Sequence, residues 1–387
     1  MSDLLFRIPL GSWAKDAVDW LTENLKVVFD WISDDFLEPL YSFLNNFLNT
    51  PSLLSLAVVF TVVALLWRGV TAGLYTAGTF ALAYVLDTWV TDGGLRLDWW
   101  IVAIVLLAIA AAAFALKGKQ LGIPITIAVV VAFAMDRWVM VSKVEEEALQ
   151  GSVEGLPWWT ILVFLVVVAY TAAGWKIALL AIVSFAIIYG VDQWQNAMSS
   201  FALVLVASII TIIIGVPLGI WAAKSKWVDA IVRPILDFLQ TMPAFVYLIP
   251  FVVLFSTGVV PGIVATILFA IAPAVRFTTL GIRQVDREVV EAAQAFGAHP
   301  ARILGQIELP LARPTIMGGI NQVIMLALSM VVIAGMVGAG GLGRDVYTSV
   351  TSVNISLGAE SGLAVVLLAI YLDRVTASFG VSQRDRA

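Results

Sequence analysis

The sequence predicts an all-α polytopic membrane protein with about eleven transmembrane helices. Three figures support this prediction: 61% of the 387 residues are hydrophobic, only 13% are charged, and the mean hydropathy is +0.97. A soluble protein of this length cannot bury that much apolar surface. Since about 20 apolar residues in a helix cross the roughly 30 Å hydrocarbon core, the apolar runs are long enough to span a bilayer.

Charged residues, prolines and glycines separate the apolar runs. The candidate spans are 51–67, 70–90, 98–116, 121–140, 157–173, 175–191, 199–223, 238–257, 262–282, 315–338 and 361–379. If the loop at 283–314 is cytoplasmic, most of the 22 Lys and Arg lie on the cytoplasmic side of the membrane. The outer loops then contain only Arg96, Lys143 and Arg344. This agrees with the positive-inside rule, and an odd number of spans then predicts a periplasmic N-terminus and a cytoplasmic tail at 380–387.

Residues 1–50 form the first predicted region, an amphipathic tail on the periplasmic side. They have no basic start followed by a continuous apolar run, so we predict no cleaved signal peptide. Trp13, Trp20 and Trp31 recur with other apolar residues at helical spacing, with Asp and Glu between them. This pattern favours a helix on the outer membrane surface, with docking to a partner as the alternative.

Residues 51–192 form the second region and predict three repeated helical hairpins. Each hairpin closes on Asp-x-Trp, namely Asp87-Thr88-Trp89, Asp136-Arg137-Trp138 and Asp192-Gln193-Trp194. Recurrence in the same direction indicates a parallel duplication. The alternative is that unrelated hairpins share a belt of interfacial tryptophans.

Several chemistries are excluded or disfavoured by composition. The chain has no Cys, a single His and a net charge of −5, which excludes disulfides and Cys metal sites and argues against a nucleic-acid partner. A membrane-embedded enzyme is disfavoured because it needs a nucleophile–base or metal constellation. The glycines of 338–343 fit G-x-G-x-x-G without the βαβ context of a nucleotide site, so we predict a bend or close helix packing there.

The polar stretch between the spans that end near 282 and begin near 315 carries a spaced motif, EAA-x3-G-x9-I-x-LP. Its fixed positions are Glu291, Ala292, Ala293, Gly297, Ile307, Leu309 and Pro310. This motif resembles the EAA loop of the membrane subunits of bacterial ABC importers, a helix-turn-helix that docks into a cleft of the ATP-binding subunit.

The residue types suit that role. The alanines favour a helix and leave a small-residue surface that another backbone can approach. Gly297 is expected to end the first short helix with a positive φ. Pro300 is expected to start the next helix and Pro310 to stop it before the membrane span. Glu291 offers an anchor for a donor on the partner.

The surrounding sequence narrows the resemblance. Five segments, 215–225, 233–255, 269–285, 317–343 and 369–374, resemble the glycine betaine/proline betaine (ProW-type, quaternary amine) permeases, the inner membrane components of binding-protein-dependent transport. The resemblance implies a type I (MetI-like) five-helix permease core at 197–379, with its coupling loop at 284–312. Such permeases usually have one hairpin before the core, so the resemblance assigns no role to 51–140.

The resemblance also implies the partners. It predicts a homodimer in the bacterial inner membrane, two copies of an ABC ATPase that hold ATP and Mg²⁺, and a periplasmic solute-binding protein. No cofactor is expected in this chain, which is not itself an enzyme and has no P-loop sequence. The cargo would be a compatible solute such as glycine betaine, proline betaine, choline or a related methylated amine, amine oxide or sulfonium zwitterion. The alternative is a secondary transporter driven by an ion gradient.

Polar, aromatic and Met side chains within the apolar spans are the candidates for the translocation path, because polar groups are costly at lipid depth and aromatic faces attract methylated ammonium groups. The main candidates are Gln240, Thr241, Pro243, Tyr247, Asn321, Gln322, Met325 and Ser329, with Asp237, Phe245, Pro250, Pro273 and Met330 beside them. Ordinary helix packing and interhelical hydrogen bonds are the alternative for each.

Overall fold

The computed structural model describes residues 10–50 and 159–380, and within these ranges the regular structure is helical. The first four predicted spans and the hairpin endings at 87–89 and 136–138 lie outside the described residues. The chain divides into two compact units, one formed by 1–45 with 183–387 and the other by 46–182.

The N-terminal tail is a series of short helices: α1 (Leu10–Asn24), α2 (Lys26–Asp30), a π-helical segment (Trp31–Leu37) and α3 (Glu38–Asn49). Both α1 and α2 contact the helix over Ala244–Phe255, and the rings of Phe29 and Phe255 meet edge to face at 5.5 Å. The tail is helical, as its periodicity predicts, and part of its apolar surface packs on protein. Trp13 and Trp20 stay exposed.

Helices α4 (Trp159–Ala173) and α5 (Trp175–Gly190) coincide with the predicted spans 157–173 and 175–191. Gly174 joins them with a φ of +87°, a left-handed conformation that suits glycine. Both helices are predominantly apolar and are shorter than the four long helices that follow.

Five apolar segments of the first unit overlap predicted spans. In the described part of the chain, four helices are long and apolar enough to cross a bilayer: α6 (Trp194–Lys224), α9 (Val259–Arg283), the stretch Pro300–Met336, and α15 (Ile355–Gly380). The fifth segment is a bent pair, α7 (Lys226–Thr241) and α8 (Ala244–Phe255), whose axes differ by 96°.

The predicted span at 238–257 falls across this bend, so it combines the end of α7 with α8. Met242 is extended, with a ψ of 129°, because the ring of Pro243 disfavours the α conformation in the preceding residue. Residues 238–241 therefore belong to α7, an amphipathic helix that starts where the Ser225 hydroxyl accepts the Val228 N–H at 3.4 Å.

Helix α9 packs between α6 and the long helix α12 (Leu309–Ser329). Helix α9 contacts α6 and α12 at positions where these two helices have glycine. A Cβ at Gly215 would lie 2.6 Å from the Ala274 Cβ, and one at Gly319 would lie 2.5 Å from the Phe277 Cβ. Small residues thus let the backbones approach closely, and this packing fixes the ends of α6, α9 and α12 relative to one another.

The glycine-rich stretch joins α13 (Val331–Met336) to α14 (Gly341–Thr351). Gly338, Gly340 and Gly341 all have positive φ, and the Leu342 N–H donates to the Ser200 hydroxyl at 2.8 Å. This is the close helix packing that the sequence predicts. Helix α14 itself was not predicted, because 339–360 reads as a polar loop.

Candidate functional site

The candidate site is the loop segment, which we define as residues 284–308, together with the helix ends that hold it. Its helices are α10 (Arg287–Ala295) and α11 (Pro300–Ile303), followed by a π-helical segment (Leu304–Glu308) that runs into α12. The Asp286 carboxylate caps α10 by accepting the Glu288 N–H at 2.9 Å. We call the end of the helix bundle that carries this segment the loop end.

Gly297 ends α10 as predicted. Its φ is +75°, its N–H donates to the Gln294 carbonyl at 2.9 Å, and the Ala298 N–H donates to the Ala293 carbonyl at 3.1 Å. These two bonds form a Schellman motif, which satisfies the last carbonyls of a helix by a left-handed residue. The motif turns the chain sharply and places the end of α10 at the surface.

Pro300 opens α11 as predicted, with the His299 Nδ1 accepting the Ala301 N–H at 3.3 Å. The prediction for Pro310 is wrong, because the helix does not stop there. The π-helical segment leads directly into α12, and Pro310 occupies its first turn, where the missing N–H costs least. From Pro300 onward, the loop segment and α12 therefore form one continuous helical element that ends at Ser329.

The outer surface of α10 combines small residues with one large aromatic side chain. Glu291 and Ala292 are exposed, Ala293 is half-buried, and Phe296 is 92% exposed. Sequence reasoning missed Phe296. The signal that could have found it is an aromatic residue directly before the helix-ending glycine of a predicted docking loop.

An ion pair between a half-exposed lysine and a buried glutamate holds the other end of the loop segment. The Lys224 Nζ, at the end of α6, lies 2.6 and 2.5 Å from the two Glu308 carboxylate oxygens. The Glu308 side chain is only 7% exposed, whereas that of Lys224 is 46% exposed. Glu308 is the variable position of I-x-LP, so the motif gave it no role, while its neighbours Ile307 and Leu309 are half-buried.

The unequal burial of this pair predicts an unequal response to mutation. Lys224→Met leaves a buried carboxylate without a partner, and we expect it to reduce stability by about 2–4 kcal/mol. Glu308→Met leaves a lysine that water can reach, so we expect a change within about 1 kcal/mol. The unfolding midpoints of the detergent-solubilised variants measure the difference. Equal losses for the two variants would contradict this account of the pair.

A cavity of about 750 Å³ opens beside the loop segment, between α6, α7, the end of α9 and α10. Its lining includes five basic and three acidic residues, namely Lys224, Lys226, Arg233, Arg283, Arg287, Asp229, Glu291 and Glu308. Glu291 therefore stands at the rim of a charged cavity, and it is exposed enough to reach a partner as well.

A second cavity of about 400 Å³ lies between α7 and α9. The Arg276 guanidinium donates to the Asp237 carboxylate beside it, and the Arg283 guanidinium donates to the Asp229 carboxylate at 2.9 Å. Arg233 adds a second contact to Asp229 at 3.2 Å. Each carboxylate of the two main pairs belongs to α7 and each guanidinium to α9.

The structure does not bring the predicted path residues together in one cavity. Tyr247 and Met330 are buried in one apolar cluster with Ala244, Leu248 and Ala265, and among the residues that the structure describes the Tyr247 hydroxyl has no hydrogen-bond partner. Asn321 donates to the Asp373 carboxylate at 3.1 Å and accepts from the Thr376 hydroxyl, which ties α12 to α15.

The other predicted path residues lie nearer the surface. Gln240, Thr241, Pro243, Phe245, Gln322 and Ser329 are exposed, Met325 and Pro250 are half-buried, and Pro273 is buried within α9. None of the candidates except Asp237 lines either of the two cavities described here.

Comparison with known proteins gives consistent matches. Residues 215–380 match the family model of the binding-protein-dependent transport system inner membrane component. The glycine betaine transport system permease protein OpuAB of Bacillus subtilis is 47% identical over 243 residues, which cover 62% of this chain and 86% of OpuAB. The glycine betaine/proline betaine permease ProW of Escherichia coli is 46% identical over 232 residues, 60% of this chain and 66% of ProW.

Among solved structures, one chain of the inward-facing methionine ABC transporter MetNI matches with a TM-score of 0.44 and 21% identity, covering 48% of this chain and 95% of that one.

Proposed function

We propose, from the premise that this chain belongs to the family of ABC importer permeases for glycine betaine and related solutes, that the loop segment is its ATPase-docking site. The chain is a multi-pass membrane protein and the transport subunit of an importer whose ATPase is a separate protein. We further propose that glycine betaine or a related methylated zwitterion is its cargo, as in the names of its relatives.

The observation that supports docking at the loop segment is the surface of α10. An aromatic side chain that is 92% exposed beside a row of small residues is costly in water and suited to a pocket on another protein. The proposed docking residues are Glu291, Ala292, Ala293, Gly297, Ile307, Leu309 and Pro310, with Phe296 added as their apolar anchor.

The docked segment is well placed to move the membrane helices. Because α11, the π-helical segment and α12 follow one another without a break from Pro300 to Ser329, we expect a shift of the docked end to displace α12 with it. The Lys224–Glu308 pair joins the same point to α6. When two ATPases close on ATP, we expect the two coupling segments of a homodimer to approach each other and reorient the path.

The remaining assignments follow the same proposal. Each of two permease copies would dock one ATPase, which holds the ATP and Mg²⁺, and a periplasmic binding protein would deliver the solute. The N-terminal tail at 1–50 would be periplasmic and the C-terminal tail at 380–387 cytoplasmic. The core would span 197–379, preceded by the repeated hairpins at 51–192, with about eleven spans in the bacterial inner membrane.

Reconstitution tests this function directly. In proteoliposomes that contain the permease, its ATPase and its binding protein, we expect transport of radiolabelled glycine betaine. This transport should require ATP on the side of the membrane where the ATPase is bound. Uptake by the permease alone under a Na⁺ or H⁺ gradient would instead support the ion-gradient alternative.

Phe296→Ala tests the docking surface. We expect the ATPase to bind the variant at least about 30-fold more weakly, since truncation of a central aromatic anchor typically costs about 2 kcal/mol or more. The measurement is equilibrium binding of the labelled ATPase to the permease in nanodiscs. Trp20→Ala, which removes another exposed aromatic ring far from α10 in the sequence, serves as the matched control. If Phe296→Ala binds the ATPase with wild-type affinity, Phe296 is not an anchor of the docking surface.

A further inference from the structure

The two ion pairs between α7 and α9 lie in segments apolar enough to cross a bilayer. Arg276 lies seven residues inside the loop end of α9, about 10 Å from Arg283 along the helix. The side chains of Arg276 and Asp237 are 45% and 56% exposed. A half-exposed charge is unfavourable against lipid, so the open side of this pair must face water or another protein.

From these observations we infer that the groove between α7 and α9 is a binding site for a small zwitterion within the translocation path. The inference rests on the proposed function, since it assigns the residues that its cargo contacts. The cavity of about 400 Å³ lies between the two ion pairs, and this is the size range of small-ligand sites. Its walls between the charges are Val232, Leu236, Val275, Thr279 and Leu280.

The chemistry of the groove matches a carboxylate and a quaternary ammonium group on one molecule. The carboxylate of the solute accepts two hydrogen bonds from the planar Arg276 guanidinium. A quaternary ammonium group has no N–H to donate, so the Asp237 carboxylate attracts it by charge alone. A bound zwitterion thus exchanges partners with the Asp237–Arg276 pair, and neither protein charge is left without a counter-charge.

The same comparison of charges predicts that ions with a single charge bind more weakly than zwitterions. A cation such as choline satisfies Asp237 but has no carboxylate for the Arg276 guanidinium, so it forgoes the charge-assisted hydrogen bonds that the zwitterion accepts. The site therefore selects for the carboxylate as well as for the methylated nitrogen, independently of the selectivity of the binding protein.

The Asp229–Arg283 pair has the same arrangement as the Asp237–Arg276 pair and lies nearer the loop end. Asp229 lies eight residues before Asp237, and Arg283 lies seven residues after Arg276, so the steps are about 12 Å and about 10 Å along the two helices. Since both pairs place the carboxylate on α7 and the guanidinium on α9, a solute keeps one orientation as it passes from the first pair to the second.

Binding to the permease itself tests the inference. The permease–ATPase complex in nanodiscs, without binding protein, is titrated with radiolabelled glycine betaine, with choline as competitor. We expect the wild type to bind glycine betaine and choline not to displace it. Arg276→Met should weaken binding about 10- to 100-fold, the effect of losing a hydrogen-bonded charge, and Asp237→Asn should weaken it less. Arg374→Met, which removes an exposed arginine of α15, should bind as the wild type does.

Three results would overturn the inference: wild-type affinity in Arg276→Met, equal competition by choline, or no binding to a wild-type complex that transports. If Arg276→Met lowers the dimer fraction measured by mass photometry and leaves the affinity unchanged, the pair is a contact between copies and the inference also fails. Absence of ATP-dependent uptake by the wild-type reconstituted system would count against the proposed function instead, so the two failures are distinguishable.

Discussion

Gly297→Asp is expected to leave the permease folded in the membrane and to abolish substrate-stimulated ATP hydrolysis by the reconstituted complex. A Cβ at Gly297 meets no atom within 4 Å, so the substitution causes no clash inside the chain. The φ of +75° is one that Asp and Asn tolerate better than other side chains. The added carboxylate would then lie on the docking surface, where contact with the ATPase would bury it without a partner.

The matched variant Gly297→Asn separates charge from shape. It has the same size and the same tolerance of a left-handed backbone, but no charge, so we expect it to keep a part of the stimulated hydrolysis. Folding is checked by size-exclusion chromatography and by the unfolding midpoint of both variants. Full stimulated hydrolysis in Gly297→Asp would show that the ATPase docks away from the end of α10.

Gly343→Ala is expected to prevent stable folding. A Cβ at this position would lie 2.0 Å from the Val331 carbonyl oxygen, and one at Gly335 would lie 2.3 Å from the carbonyl carbon of Gly343. The obstacles are backbone atoms on both sides, so α13 and α14 would have to separate. Overpacking a core commonly costs 1–3 kcal/mol, and we expect more than about 3 kcal/mol here because no side chain can move aside.

The control for this effect is Gly362→Ala on α15, where an added Cβ meets nothing within 4 Å. We expect this variant to be unchanged or slightly stabilised, since Ala is favoured over Gly in a helix by roughly 0.5–1 kcal/mol. The measurement is the monodisperse fraction after extraction and the unfolding midpoint. A Gly343→Ala protein as stable as Gly362→Ala would mean that the two helices are not in backbone contact.

Gly297 and Gly343 differ in how much of their structural role the sequence predicts. The sequence predicted the turn at Gly297, because a helix that must end within a spaced motif needs a residue that accepts a positive φ. It predicted close packing at 338–343 from the density of glycine, but not that Gly335 and Gly343 face each other, since that depends on where two helices cross.

Predictions made from single residues or short windows are incomplete where neighbouring helices or the preceding turn determine the structure. Pro310 was expected to stop a helix, but a proline in the first turn of a helix loses little, and the π-helical segment before it lets the helix continue. The sequence predicts a span at 238–257 and marks Pro243 as a residue that can kink or break a helix, but hydropathy averages over a window and does not give the size of the bend, which is 96°. The place of Asn321 in the path stays a prediction, and the sequence did not indicate its hydrogen-bond partners Asp373 and Thr376, which lie more than fifty residues away.

The sequence by itself determined that this is a multi-pass helical membrane protein, and the spacing of its EAA motif indicated an ABC importer permease, because hydropathy and short-range spacing are properties of neighbouring residues. Only the tertiary structure decided which charges meet. The Lys224–Glu308 pair and the pairs of α7 with α9 join residues that are 39 to 84 positions apart. Such pairings depend on how the helices pack, and helix packing depends on the shapes of whole surfaces rather than on any local run of residues.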